Sequence, residues 1–153
     1  MTARPEARFV REGDWLVVRL SGPYTLEWFL GVIADIGKTM RAAPAAALLV
    51  DALGMFGAIE DLDRYRFAMA TVEQQITAPI AFLGKEPILD PGRFGESVAR
   101  NRGVNVRAVH QRSGSTGLVA GADGRLTREL TPVARLQRMT PARGIIQFQH
   151  ATF

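Results

Sequence analysis

A chain of 153 residues, 47% hydrophobic and 22% charged, has the length of one domain and can bury a core without disulfides or metal. It contains no cysteine, which excludes disulfide frameworks, thiolate metal sites and cysteine nucleophiles and suits a cytoplasmic protein. The net charge of +4 would suit nucleic acid, yet thirteen Lys/Arg and thirteen Asp/Glu cancel up to His110. The excess belongs to Arg112, Arg125, Arg128, Arg135, Arg138 and Arg143 against Asp123 and Glu129, which argues against a basic nucleic-acid patch on a folded face.

Met1 to Arg11 carries Arg4, Glu6, Arg8 and Arg11 and lacks the apolar stretch of a secretory signal. No apolar run approaches the roughly 20 residues of a membrane span. Ala7 to Val10 reads as a short edge strand, and Trp15 to Leu20 as a stronger one with Leu16, Val18 and Leu20 on one face. Glu12-Gly13-Asp14 joins them as an antiparallel hairpin, and Ser21-Gly22-Pro23 stops the second strand. Thr25 is placed to cap a helix with Leu26, Phe29, Leu30, Ile33, Ile36 and Met40 at helical spacing, ended by Ala43-Pro44.

Ala45 to Val50 is a continuous apolar run, the pattern of a central strand covered on both faces. Its exit, Asp51 to Gly57, reads as a glycine-punctuated loop. A second helix begins near Glu60, with Leu62, Tyr65, Met69, Val72 and Ile76 as its expected apolar stripe. Ala78 to Leu83 reads as a buried strand, and Asp90-Pro91 as the cap and first turn of a third helix that carries Phe94, Val98 and Ala99 and ends at Gly103. Val104 to Val109 supplies the last strand. This alternation predicts an α/β domain over residues 6–110, a mostly parallel sheet of about five strands with an antiparallel edge hairpin and helices packed on it.

The segments VVRLSG, TLEWFLGVIADI, ALLVD, PIAFLG and RNRGVNVRAV, in this order, resemble the STAS-like family, relatives of the sporulation anti-sigma-factor antagonist. The fold of that family is similar to lipid-carrying Sec14-type domains. The resemblance implies a fold more than an activity, because it lies in core residues and turn glycines. In the antagonist branch a serine soon after the central strand is phosphorylated and switches partner binding. Asp51 to Ala58 contains no Ser or Thr, so the resemblance points to the relatives without that switch, suspected of binding lipophilic ligands or membrane surfaces.

Asp51 stands where open α/β sheets place ligand crevices, at the carboxyl end of a central strand. The simpler reading has its carboxylate accept backbone N–H groups of the following loop. Met55 and Phe56, between Gly54 and Gly57, are large apolar residues in a segment read as solvated; they suit a bilayer, an apolar ligand or a partner, or fold back over the sheet. Trp28 and Phe29 share that ambiguity, with core packing favoured for Phe29. Asp61, Asp63, Arg64 and Arg66 read as a solvated helix face, and His110 and His150 are too poorly accompanied for a metal site. Gly114-Ser115-Thr116-Gly117 lacks the lysine and spacing of a phosphate-binding loop.

No catalytic residue, metal or cofactor is assigned. The expected function is a non-catalytic module that binds a small apolar ligand or a membrane surface, with Asp51, Gly54, Met55, Phe56 and Gly57 as contacts. The alternative is a regulatory protein-interaction module without a phosphoserine.

Residues 111–153 depart from the design and read as an atypical basic tail, poorly ordered or irregular. The resemblance implies a closing helix after the last strand, and Gln111 to Ala120 has no amphipathic period. Back-translating Arg112 to Ala120 as CGA TCG GGA AGC ACT GGC CTG GTT GCT and reading one base later gives Asp-Arg-Glu-Ala-Leu-Ala-Trp-Leu, which has the character of that helix. The tail is therefore expected to be an out-of-frame reading. The opposing expectation is a genuine extension with a short helix from Thr131-Pro132 to Met139 and a strand from Ile145 to Phe148.

Overall fold

The structure is a computed structural model in which residues 3–110, 119–120 and 126–127 are described. The chain divides into two compact units, Met1–Gln111 and Arg112–Phe153. In the second, Val119–Ala120 pairs antiparallel with Leu126–Thr127; the expected closing helix, the alternative helix to Met139 and the strand near Ile145 lie outside the described residues.

The first unit is an α/β fold. Its elements are β1 (Glu6–Glu12), β2 (Trp15–Pro23), α1 (Leu26–Ala42), β3 (Ala47–Phe56), α2 (Asp61–Glu73), β4 (Ile80–Gly84), α3 (Phe94–Arg100) and β5 (Val106–His110). The five strands lie side by side in chain order, β1 antiparallel to β2 and every later neighbour parallel. Gly13, at φ 58°, supplies the left-handed residue of the hairpin turn. A parallel sheet whose strands advance in one direction through right-handed crossovers collects its helices on one side. Accordingly Leu16, Val18, Leu20, Leu48, Val50 and Ile80 form one core cluster with Phe29, Val32, Ile33 and Ile36 of α1, Ala68 of α2 and Ala99 of α3. Trp15, Val17, Ala47, Leu49, Ala81 and Leu83, which alternate with them along the strands, are also buried but lie outside that cluster.

The largest correction concerns residues 51–57. The strand does not stop at Val50; β3 runs to Phe56, and only Gly57, at φ 118°, turns out of it. The cause is pairing with the far end of β2, where Ser21, Gly22 and Pro23 stand opposite Gly54, Met55 and Phe56. The backbones approach so closely that a Cβ on Gly54 would lie 3.0 Å from the Leu20 carbonyl oxygen and from Ser21 Cβ. Glycine here permits a strand. The register slips between Arg19 and Ser21, so Ala52 and Leu53 together span the place of Leu20. That bulge reverses the alternation: Ala52 and Met55 both belong to the core cluster, while Phe56 is 54% exposed.

In α1, Phe29 is buried and Trp28 half-buried against the core. Thr25 occupies the cap position with extended backbone, but its side chain makes no capping bond. In α2 the expected stripe holds at its end, where Val72 packs on the core and Ile76, just past the helix, is buried, and is rotated at its start. Leu62 is 57% exposed and Tyr65 also lies outside, while Arg64, Phe67, Ala68 and Thr71, spaced i, i+3, i+4 and i+7, face inward. Polar anchors set this rotation: the Tyr24 hydroxyl donates to Asp63 Oδ2 at 2.9 Å, and the Arg64 guanidinium donates to the Ile88 and Pro87 carbonyls at 3.0 Å each. Farther along, the Gln74 side chain lies directly over Gly37, where any Cβ would collide with it. α3 begins at Phe94, later than Asp90-Pro91 suggested, yet Asp90 does cap: its carboxylate accepts from Gly92 N–H at 2.9 Å and Phe94 N–H at 2.7 Å.

Candidate functional site

The side chains that the sheet and the three helices turn toward each other leave a cavity of about 150 Å³. Its floor is Leu48 and Val50 of β3, Ile80 and Phe82 of β4, and Val106 and Ala108 of β5. Phe29 and Ile33 of α1, Phe67 and Ala68 of α2, and Gly95 and Ala99 of α3 form its walls. The small residues Ala68, Gly95, Ala99 and Ala108 account for the space, because folded interiors otherwise close to crystal-like density. Phe29 and Phe67, with ring centroids 4.3 Å apart, and Tyr24, edge-on to both, stiffen the α1 side. The Tyr24 hydroxyl is held well above its usual range, first by burial and then by the hydrogen bond it donates to the Asp63 carboxylate.

Among the described residues, five polar ones also line the cavity: Arg64, Thr71, Asp90, Arg93 and Glu96. Most serve the fold. The Arg64 side chain, 13% exposed, is tied to the 87–88 carbonyls. Thr71 donates to the Phe67 carbonyl one turn back at 2.8 Å. Glu96, 6% exposed, accepts the Ala108 N–H of β5 at 3.0 Å and has Arg100 Nη1 at 3.5 Å. Asp61 and Arg66 remain on the outer side of α2, but Asp63 and Arg64 turn inward, which corrects the expectation of a wholly solvated face.

The residues expected as contacts, Asp51, Gly54, Met55, Phe56 and Gly57, do not line this cavity. Asp51 lies within β3, opposite Arg19 on one side and Leu83 on the other, and its Oδ1 accepts the Leu53 N–H at 3.1 Å. That is the backbone role of the simpler reading. Met55 is 1% exposed, packed in the core; Phe56, Gly54 and Gly57 are exposed; none of the five lines the cavity. Their flanking neighbours Val50 and Ile59 do line it.

The sequence did not single out Arg93 or Glu96, and Arg64 read as solvated. The 64, 67, 68, 71 spacing was available as a signal for Arg64, but an arginine on the inward face reads as solvated unless the carbonyls that receive it are known. An apolar chamber of this size, with polar groups mostly engaged by the fold itself, has room for a small apolar body. No protein-family model, curated protein or solved structure matches the chain.

Proposed function

We propose that this domain binds a small apolar molecule in the cavity between its sheet and its three helices and carries it without transforming it. The observation that carries this reading is the cavity itself, about 150 Å³ of space walled by Leu, Ile, Val, Phe and Ala. Apolar cavities of about this volume are known to take up benzene or xenon when they are dry. A binding role is further supported by the two carboxylates on the lining, whose oxygens accept backbone N–H groups of the domain's own chain. The resemblance to STAS-like proteins points the same way.

The test is a thermal shift and an NMR titration with benzene, on the parent chain and on Ala68→Leu and Ala99→Leu. Benzene is expected to raise the parent's melting temperature and to have no effect on the filled variants. Undiminished benzene binding in both filled variants, with circular dichroism unchanged, would remove the cavity from the function.

A second reading, a protein-interaction module, is favoured by Leu62, Tyr65 and Phe94, which expose large apolar surface on α2 and at the start of α3. A defined partner lost on Leu62→Asp, with benzene binding intact, would decide for it.

A further inference from the structure

Resting on the reading of the cavity as a ligand site, we infer that its ligand carries one anionic group, a carboxylate or a phosphate, received by Arg93 at the edge of the cavity. Among the described residues, four ionisable ones line the space: Arg64, Asp90, Arg93 and Glu96. Three are engaged by the fold. Arg64 donates to the Pro87 and Ile88 carbonyls, Asp90 accepts from Gly92 and Phe94 N–H, and Glu96 accepts from Ala108 N–H beside Arg100. Arg93 differs. Among the described residues Arg93 forms no ion pair, and the residue belongs to the lining of an apolar chamber.

The backbone places it there at a cost. Arg93 has φ 54° and ψ 32°, the left-handed region that residues with a Cβ seldom occupy, although glycine stands immediately before it. The Arg93 N–H donates to the Asp90 carbonyl at 3.1 Å, and the Asp90 carboxylate holds the amides on either side, so the turn is fixed from both flanks. An apolar body fills the chamber, and a terminal anion at its edge meets a guanidinium with all five donors available to it. A neutral isostere leaves that cation without a partner. Because Arg93 is exposed, the selectivity is moderate, about tenfold, the scale of one charge-assisted hydrogen bond in partial contact with water.

The probes are benzoate, phenyl phosphate and benzamide, titrated calorimetrically into the full chain at neutral pH and low salt, with benzene as the uncharged control. Benzoate or phenyl phosphate is expected to bind about tenfold tighter than benzamide, and the stronger of the two identifies the anion. Added salt is expected to weaken the anions and leave benzamide unchanged. Arg93→Met is expected to equalise all three. Arg93→Gly should do the same while relieving the backbone, so that loss of selectivity in that variant cannot come from misfolding. Equal affinities of the parent chain for benzoate, phenyl phosphate and benzamide would overturn the anion site and leave the cavity reading intact. Failure of every probe, benzene included, would overturn both.

Discussion

The two faces of the sheet carry similar side chains in different surroundings. On one, Leu48 and Val50 face three helices across a cavity; on the other, Val17, Leu49, Ala81 and Leu83 are just as buried, although α1, α2 and α3 all pack on the first face. The difference follows from topology, since strands added in one direction by right-handed crossovers place every crossover helix on the same side. A run apolar at every position, such as Ala47 to Val50, nevertheless specifies two covers. One face is built with spare room, and the other is as apolar and as buried without a crossover helix on it.

The largest expected effect on the second face lies in the reading frame after His110. If the coding DNA after His110, read one base later, spells Asp-Arg-Glu-Ala-Leu-Ala-Trp-Leu, the shifted-frame protein is expected to be more stable by roughly 4–9 kcal/mol, the worth of about three large buried side chains. Codons incompatible with that peptide would end the out-of-frame reading, and a shifted-frame protein with an unchanged denaturation midpoint would show that the second face needs no such helix.

Next in size are paired truncations within one strand. Leu48→Ala and Leu49→Ala remove equally buried side chains from opposite faces, and each is expected to cost about 2–5 kcal/mol in urea denaturation. A negligible loss at Leu49 would mean that the second face is loosely packed. Enlargement should separate the faces in the other direction. Ala81→Leu, away from the cavity, is expected to cost about 1–3 kcal/mol through overpacking, whereas Ala68→Leu, which grows into the cavity, is expected to cost less than about 1 kcal/mol.

Tyr24→Phe deletes one partly buried hydrogen bond and is expected to cost about 1 kcal/mol at neutral pH. The Tyr24 hydroxyl is held above its unfolded value near 10, so the folded state favours the protonated phenol. Its contribution is complete below pH 10 and is lost as pH rises from there toward the folded value. Alkaline melting curves of Tyr24→Phe are therefore expected to fall less steeply than those of the parent. Phe56→Ser, at an exposed strand end, should stay within about 0.5 kcal/mol.

The sequence made much of this legible. The hairpin, the order of elements, α1 with its inward Phe29, Ile33 and Ile36, and the buried strands follow from period and composition, signals set by neighbours along the chain. The end of β3 did not, because Gly54 and Gly57 look alike in sequence although one permits close strand pairing and the other a turn. The rotation of α2 was equally hidden, since it rests on Tyr24 and on the 87–88 carbonyls, partners 23 to 39 residues away. The cavity is a matter of volumes left over when Ala68, Gly95 and Ala99 meet, and no single segment encodes it.

The bulge at Ala52 and Leu53 also governs the oxidation chemistry of its strand. Continued alternation would have turned Phe56 to the core and Met55 to the opposite face; the extra residue instead leaves the Met55 side chain 1% exposed. Methionine sulfoxide is polar and disrupts a core, and its formation follows exposure of the thioether. One inserted residue thus shields Met55 from peroxide for as long as the domain stays folded, and its conversion to the sulfoxide becomes a clock for unfolding.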